Sequence, residues 1–333
     1  MPQIIIISHR NDLDGISSAA LMVRYATKYR KLPFYIALKD YDDKEGMIDD
    51  IIISASDSEI FILDLSVNQS AINETAKKLR VLKKNGNKIY WIDHHQATSR
   101  IASELERIID VFDVGPDNFA ASEMVYDRIY VKNGINDDHA KMLSLLGRDA
   151  DLMELKHKIT PKLMAIIDYY NYIDGGSTFY PDLVQLTLSL AMPKIESKED
   201  ELLDDTRLGQ VRYYESLKNS EVRKVLDAVE IFKAGKFSFA LFNYTTLFSG
   251  SQISTYVLNA NNVDASIGLN ELGKCSVRRK NENIDCAEIA SQFGGGGHKF
   301  AAGFFLGFKV NSESSIARAK SLIKKKLKAL YRI

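Results

Sequence analysis

Short apolar segments alternate with amphipathic ones along roughly the first 115 residues of the chain. The apolar segments are rich in β-branched and aromatic residues, which is typical of strands buried on both faces of a sheet. They lie at residues 4–7, 60–63 and 88–92, with a fourth candidate at 32–38. Residues 16–29 and 69–84 instead repeat apolar positions at helical spacing. This alternation predicts an α/β domain with a parallel sheet, right-handed crossovers and helices on both faces.

The rest of the chain divides into a helical part, a charged connector and a second α/β part. Residues 118–190 are mostly helical in pattern, and Pro193 then opens a charged segment across which few contacts are expected. Beyond it, the expected strands are 237–242, 265–269 and 275–279, and the expected helices are 252–258, 286–293 and 315–330. We therefore expect domains at residues 1–191 and 226–333, joined by a linker helix over 192–225.

The amino-acid composition is that of an ordinary globular protein and excludes few classes of function. The 44 Lys and Arg residues equal the 44 Asp and Glu residues, so no net charge favours nucleic acid, although charge can still be segregated into a basic groove. Cys275 and Cys286 form no metal-binding spacing, which favours a reducing, cytoplasmic compartment. No stretch resembles a signal peptide or approaches the roughly 20 apolar residues of a membrane span. We expect a cytoplasmic protein without a membrane segment.

The most informative motif is Asp93-His94-His95, which follows the predicted strand at 88–92. One carboxylate and two imidazoles at a strand end are ligands that suit divalent ions such as manganese, iron or zinc. Adjacent histidines on a surface turn are also common, so the tripeptide needs support from other strand ends. The sequence offers that support twice, because two further predicted strands end in acidic residues.

The strand at 4–7 runs into a segment with three candidate ligands, His9, Asp12 and Asp14, and the strand at 60–63 ends at Asp64. Ligands of open parallel sheets bind outside the carboxyl ends of the strands. We therefore expect these side chains to converge with the tripeptide on one crevice. Carboxylates packed so closely repel each other unless cations lie among them, and two cations would satisfy them better than one.

A fourth source of acid follows the predicted helix that ends at Leu146. Gly147 is expected to stop this helix, and Asp149 and Asp151 come next. Either aspartate could be a ligand, and a solvated acidic turn is the alternative interpretation.

Four consecutive glycines, Gly294, Gly295, Gly296 and Gly297, precede His298. Glycine costs chain entropy on folding, so this run indicates a backbone that bends sharply and admits a close neighbour. Successive amides could cradle an anion, with His298 donating to a phosphate and Arg278 or Arg279 adding a guanidinium. A flexible hinge beside a chance histidine is the simpler alternative. The lysines of the last helix favour a solvated face over a nucleic-acid contact.

With both halves in view, the chain resembles the DHH phosphoesterase family, whose name comes from the tripeptide found here at 93–95. The family joins a metal-binding DHH domain to a smaller DHH-associated domain with a GGGGH motif, which here is residues 294–298, followed by Ala301-Ala302-Gly303. Both motifs occur in the expected order and separation, and the resemblance spans nearly the whole chain.

The resemblance implies two divalent metal ions, most often manganese, with magnesium or cobalt as alternatives. It implies the following metal ligands: His9, Asp12, Asp14, Asp64, Asp93, His94 and Asp149, with Asp64 bridging the ions. Asp149 matches better than Asp151 because it follows Leu-Gly-x. His95 would face the scissile phosphate, and Asp93 would bind metal or orient an imidazole. Arg278, the four glycines and His298 would bind substrate.

The function implied is that of a RecJ-like or oligoribonuclease-like exonuclease, similar to the compact archaeal RecJ-like nucleases. It would cleave single-stranded RNA or DNA, including short oligonucleotides, by two-metal hydrolysis, and would release 5′-mononucleotides, in the 3′→5′ direction by preference. One alternative is a phosphatase or phosphodiesterase acting on phosphoadenosine phosphate or a cyclic dinucleotide. Another is an inactive scaffold associated with replication. A helicase or another repair or replication protein is a candidate partner, and a homodimer is a candidate assembly.

Overall fold

The computed structural model describes residues 3–40, 46–67, 71–95, 97–115, 118–174 and 179–331. The chain forms two compact units, Met1–Tyr214 and Glu215–Ile333. The boundary lies inside helix α9, Asp205–Asp227, which occupies much of the segment predicted as a connector. The exact bounds 1–191, 192–225 and 226–333 stay a prediction.

The first unit contains a five-stranded sheet in the order β2-β1-β3-β4-β5, and every pairing in it is parallel. Its strands are β1 (Ile4–His9), β2 (Phe34–Lys39), β3 (Glu59–Leu63), β4 (Lys88–Asp93) and β5 (Val111–Val114). Its helices are α1 (Leu13–Arg24), α2 (Asp50–Ile53), α3 (Ile72–Lys84), α4 (Ser99–Glu106), α5 (Ala121–Val125), α6 (Asp138–Asp151), α7 (Thr160–Ile173) and α8 (Pro181–Ala191). The predicted parallel α/β architecture is confirmed.

Strand β1 shows why the apolar runs have no polar alternation. Ile4 and Ile6 belong to one core cluster, which includes side chains of α1, α6, α7 and α8. Ile5 and Ile7 belong to a second cluster, which includes side chains of α3 and α4. Successive side chains of a strand point to opposite faces, so helices on both faces require apolar residues at every position.

Helix α1 is shorter than its apolar pattern suggested. Asp12 caps it, since the side-chain carboxylate accepts a hydrogen bond from the amide of Gly15 at 2.9 Å. The helix ends at Arg24 and continues as a π-helical turn over Tyr25–Arg30. The acidic segment after β1 is therefore part of a tight strand-to-helix connection.

The expected helix end at Leu146 is wrong, because α6 continues through Gly147 to Asp151. Gly147 serves packing rather than termination. A Cβ atom there would lie 2.2 Å from Ser122 Oγ and 2.9 Å from Asp14 Oδ1. The missing side chain therefore lets α6 approach α5 and the candidate metal centre closely.

The second unit is a six-stranded mixed sheet in the order β10-β11-β9-β8-β7-β6. Its strands are β6 (Glu230–Ala234), β7 (Phe237–Tyr244), β8 (Ala265–Asn270), β9 (Lys274–Arg279), β10 (Gly296–His298) and β11 (Ala301–Phe305). Its helices after α9 are α10 (Gly250–Ala260), α11 (Cys286–Ser291) and α12 (Glu313–Leu330). The prediction of a smaller α/β domain is confirmed, although β6, β10 and β11 were not anticipated.

Cys275 and Cys286 are both buried free thiols. Among the helices in the described ranges, none combines the length and the apolar character needed to cross a bilayer.

Candidate metal centre

Three neighbouring strands deliver polar side chains to one edge of the first sheet. His9 is the last residue of β1, Asp64 directly follows β3, and Asp93 is the last residue of β4. The strands are parallel and in register, with Ser8 beside Leu63 and Leu63 beside Ile92. Their carboxyl ends therefore coincide, as expected for the binding edge of an open α/β sheet.

Asp64 is the most unusual group at this edge. Its side chain is 1% exposed, and neither of its carboxylate oxygens has a hydrogen-bond partner among the residues that the structure describes. Burial raises the pKa of Asp64 well above its usual range, and the charges of Asp12 and Asp14 raise it further. A buried carboxylate without donors is costly, and such groups call for an explanation such as a bound ion.

The backbone of Asp64 is also unusual, since its φ of +53° lies in the left-handed region. A non-glycine residue rarely adopts this conformation, and such strain is concentrated at functional sites. With this backbone conformation, the Asp64 carboxylate lies 3.4 Å from the imidazole of His94.

His94 lies at the centre of the cluster. Its Nε2 atom is 3.4 Å from Asp64 Oδ1 and 4.0 Å from Asp14 Oδ2. Its Nδ1 atom is 3.7 Å from Asp151 Oδ2. One imidazole thus touches carboxylates from three different segments of the chain.

Asp93 and His95 form a pair next to this centre. Asp93 Oδ1 is 2.8 Å from His95 Nδ1 and also accepts a hydrogen bond from the backbone amide of His95 at 3.2 Å. The hydrogen bond to Asp93 raises the pKa of His95. This contact suits the orienting role predicted for Asp93, because a carboxylate on Nδ1 determines the tautomer and the ring position. Asp93 also lies close enough to Asp64 and His94 to share an ion with them, so both predicted roles remain open.

Asp14 is held rigidly by the start of α5. Its two oxygens accept hydrogen bonds from the amides of Ala121 at 2.7 Å and Ser122 at 2.9 Å. Burial nonetheless raises the pKa of Asp14 to about 7, with a smaller contribution from the charge of Asp12. Asp14 is therefore a positioned carboxylate that would gain from a neighbouring cation.

His9 and Asp12 lie together beside the cluster, with His9 Nε2 3.4 Å from Asp12 Oδ2. Asp12 raises the pKa values of Asp14, Asp64 and Asp151 by its charge, so it acts on the same site. The structure thus brings both residues to the predicted edge.

The structure places Asp149, the ligand predicted in preference to Asp151, away from the cluster. Asp149 accepts hydrogen bonds from the amides of Lys156 and His157 and from the hydroxyl of Thr160, at 2.6, 3.1 and 2.6 Å. These bonds outweigh the effect of burial and lower the pKa of Asp149. Its carboxylate is thus committed to the segment that follows α6.

Asp151 lies at the centre instead. It is four residues after Gly147, on the helix face that packs against Asp14, whereas Asp149 lies about 160° away around the helix. Once α6 is known to continue through Gly147 and to pack there against Asp14, helical spacing identifies Asp151. Asp151 is therefore better placed than Asp149 to be a ligand.

The two aspartates should separate cleanly by mutation. We expect Asp149→Asn to lower the free energy of unfolding by about 1–3 kcal/mol, because an amide turned toward three donors leaves some of them unsatisfied. We expect Asp151→Asn to leave stability nearly unchanged and to weaken manganese binding at least about tenfold. Urea unfolding and calorimetric manganese titration measure the two effects, and the reverse pattern would restore Asp149 as the ligand.

The donor set fits divalent ions. Two groups of ligand atoms each lie within 4.8 Å of one another, and they share His94. The first group is Asp64, Asp93, His94 and His95, and the second is Asp14, His94 and Asp151. Carboxylate and imidazole ligands in this number suit manganese and similar ions. A bound cation would also stabilise the buried carboxylate of Asp64.

The glycine run in the second unit ends a helix and begins an edge strand, with positive φ at Gly294 and Gly297. The amides of Gly294 and Gly295 bond to the carbonyls of Ser291 and Ala290 and so end helix α11. Gly296, Gly297 and His298 form β10, which pairs antiparallel with β11. Since the first two amides are already used, a nest of four consecutive amides is not formed.

The predicted substrate-binding side chains of this unit lie in one row. His298 is opposite Ala301, and Ala301 is opposite Arg278 on the next strand. Arg278 donates from Nη2 to Ser251 Oγ at 2.6 Å and from Nη1 to its neighbour's carbonyl. The structure therefore brings Arg278 and His298 to the same face of the sheet.

A parallel α/β domain with this acidic and imidazole cluster has the features of a metal-dependent phosphoesterase. Two family profiles match the sequence: DHH family, N-terminal domain, over residues 3–148, and DHHA1 domain over residues 249–329. The chain therefore belongs to the DHH family, and its fold is that of DHH phosphoesterases.

Solved structures of similar fold cover almost the whole chain. The pGpG-specific phosphodiesterase PggH from Vibrio cholerae aligns over 99% of both chains at 13% identity and a TM-score of 0.54. CDC45 from Entamoeba histolytica aligns over 98% of this chain and 95% of its own at 8% identity and a TM-score of 0.51. An exopolyphosphatase-related protein from Bacteroides fragilis covers 100% and 94% at 16% identity, with a TM-score of 0.49. At these identities, the first two matches establish a common fold alone.

A comparison with curated protein sequences finds no match.

Proposed function

We propose that this protein is a manganese-dependent phosphodiesterase that degrades single-stranded RNA or DNA, including short oligonucleotides, from one end and releases 5′-mononucleotides. The observation that carries the proposal is the buried Asp64 carboxylate, which lacks hydrogen-bond donors among the described residues and lies 3.4 Å from His94. A group in this state suits a site that binds cations.

The residues proposed to hold two ions are His9, Asp12, Asp14, Asp64, Asp93, His94 and Asp151. When bound, the ions supply Lewis-acid stabilisation of the charge at phosphorus and make a water molecule acidic enough to react near neutral pH. The protein contributes the position of these donors: Asp14 is held by two amides of α5, and Asp64 by its left-handed turn.

His95 is proposed to contact the scissile phosphate. Its hydrogen bond to Asp93 raises its pKa, which favours the protonated imidazole, a good partner for a phosphate oxygen. The side chain is 42% exposed, so a substrate can reach it, whereas His94 is only 11% exposed. This difference fits a substrate contact for the second histidine of the motif and a buried ligand for the first.

Arg278 and His298 of the second unit are proposed to bind the terminal nucleotide. Recognition of a terminal nucleotide would make cleavage proceed from a chain end, and we favour the 3′→5′ direction. The intact ligand cluster supports an enzyme over an inactive scaffold.

A cleavage assay tests the proposal. End-labelled single-stranded RNA and DNA of two to twenty nucleotides are incubated with manganese, magnesium, cobalt or a chelator. We expect mononucleotides as the first products, fastest with manganese and absent with the chelator. Label at the 5′ end should persist in progressively shorter products if cleavage runs 3′→5′. Failure to release mononucleotides from any of these substrates contradicts the proposal.

A second candidate is a phosphodiesterase confined to small nucleotides. It is favoured by the likeness of fold, over 99% of both chains, to a phosphodiesterase described as specific for pGpG, which is itself a linear dinucleotide. Including pGpG, a cyclic dinucleotide and phosphoadenosine phosphate in the same assay separates the two functions. A value of kcat/KM for one of these at least about a hundredfold above that for a decanucleotide would favour the second candidate.

A further inference from the structure

At β10 and β11, one face of the second sheet is largely exposed among the residues that the structure describes. The side chains that share this face alternate along β11 and are exposed or half-buried at Ala301, Gly303 and Phe305. The opposite face contributes Ala302 and Phe304 to the core shared with α11 and α12. The uncovered face is thus a flat surface whose central positions, Ala301 and Gly303, have almost no side chain.

The edge strand β10 extends this flat surface. Gly296 is paired with Gly303, and a Cβ atom at Gly296 would meet nothing within 4 Å. A Cβ atom at Gly303 would meet only the carbonyl oxygen of Cys275, at 3.2 Å. At these positions the backbone of the two strands is exposed and no side chain projects from it, so a planar ring can approach it closely.

An aromatic pair borders this flat surface. The rings of His298 and Phe300 are stacked, with their centroids 5.3 Å apart and an angle of 6° between their planes. Phe300 is 62% exposed, although it is one of the most hydrophobic side chains of the chain. Because the imidazole covers only part of the phenyl ring, a large aromatic surface remains in contact with solvent.

A positive charge lies on the same row. Arg278 is opposite Ala301, which is opposite His298, so the guanidinium and the ring pair are separated by one strand. Ser251 and the carbonyl of Val277 hold the guanidinium in place. An exposed ring can stack on a base, a fixed cation can hold a phosphate, and the flat backbone between them leaves room for a sugar. The combination therefore suits a nucleotide better than an apolar partner.

We propose that Phe300 is a specificity-determining residue on which a nucleobase of the substrate stacks, while Arg278 holds the adjoining phosphate. The inference rests on the proposed function, since it takes a single-stranded nucleotide as the ligand. Stacking on an aromatic side chain tolerates any base, so this contact would select nucleotides over other phosphate esters without reading sequence. The imidazole of His298 lies parallel to the phenyl ring and adds a further ring to the stack.

Binding of AMP and of ribose 5-phosphate to the full-length protein tests this assignment, because the two ligands share the phosphate and differ in the base. We expect Phe300→Ala to weaken AMP binding about tenfold and to leave the affinity for ribose 5-phosphate unchanged. Phe300→Trp should restore AMP binding, whereas Phe300→Leu, which keeps apolar bulk without a ring, should not. Proton resonances of the His298 ring should shift upfield with AMP and not with ribose 5-phosphate.

Ile231→Ala provides the matched control, since Ile231 is 57% exposed on β6, at the opposite edge of the same sheet. It should change neither affinity. Equal AMP affinity in the wild type and in Phe300→Ala would overturn the proposal, as would an equal loss for both ligands. If the wild-type protein binds AMP in this ring-dependent way but hydrolyses no oligonucleotide, the proposed function fails and the stacking site stands.

Discussion

Asp64→Asn should reduce phosphodiester hydrolysis at least about a thousandfold and at the same time make the metal-free protein more stable. Both effects have one cause. The substitution removes a buried negative charge that repels Asp12, Asp14 and its other neighbours, and that charge is the feature proposed to attract the ions. We expect the gain in the free energy of unfolding to be on the order of 1–2 kcal/mol in the presence of a chelator.

The measurements are kcat/KM on a short oligonucleotide, calorimetric titration with manganese, and urea unfolding with a chelator. Asp113→Asn is a suitable control, because Asp113 lies on the edge strand β5, two strands away from β3, and pairs with Arg128. It should retain manganese binding and hydrolysis. Wild-type hydrolysis by Asp64→Asn, or a destabilised metal-free variant, would contradict the assignment of Asp64 to the metal centre.

Asp137→Asn should cost about 3–5 kcal/mol of stability, because it leaves the guanidinium of Arg24 without its buried partner. Arg24 is completely buried in the helical layer, and its Nε atom lies 2.8 Å from Asp137 Oδ2. Asp137 also caps α6 through the amide of Ala140 at 3.0 Å, which an asparagine can still do. The expected loss is therefore that of the ion pair.

This loss should depend on pH in a defined direction. Burial alone would raise the pKa of Asp137, but the hydrogen bonds from Arg24 and Tyr29 outweigh it and lower the pKa below its usual range. Because the pKa of Asp137 is lower in the folded state than in the unfolded state, its ionised carboxylate stabilises the fold at pH values above the unfolded-state pKa of about 4. This stabilisation is lost as the pH falls below that value toward the folded-state pKa. The difference in unfolding free energy between wild type and Asp137→Asn should be constant from pH 5 to 7 and shrink below about pH 4.

Urea unfolding at pH 7, 4 and 3 measures this difference. Glu196→Gln tests the partly exposed side of the same network, since Glu196 also contacts Arg24 but its side chain is 49% exposed. It should cost less than about 1 kcal/mol. Comparable losses for the two variants would show that burial does not determine the strength of this pair.

Much of the first domain follows directly from the sequence. The isoleucine run of β1 indicates a strand covered on both faces, and parallel strands necessarily bring their carboxyl ends together. That reasoning places His9, Asp64 and Asp93 at one edge before any coordinates are known. The acidic cluster could therefore be predicted from strand patterns and from the order of the elements.

Two features could not be predicted in this way, and both depend on glycine. Gly147 continues a helix where its intrinsic preference indicates an end, because close packing against Ser122 and Asp14 outweighs that preference. The glycine run contributes an edge strand because pairing with β11 determines its conformation. In both cases the deciding contact is with a segment distant in sequence, which local patterns do not contain.

Alternate isoleucines of strand β1 pack into the two cores on opposite faces of the sheet. For the stability of the fold, the number of residues in β1 therefore matters more than the identity of each side chain. Exchanging one isoleucine for valine there would remove one methylene from one layer. Deleting a single residue would move the side chains that follow it to the opposite face of the sheet. It would also shift the turn that carries Asp12 and Asp14 by about 3.3 Å along the strand. Homologous or engineered versions of this protein should therefore accept substitutions along β1 far more readily than insertions or deletions.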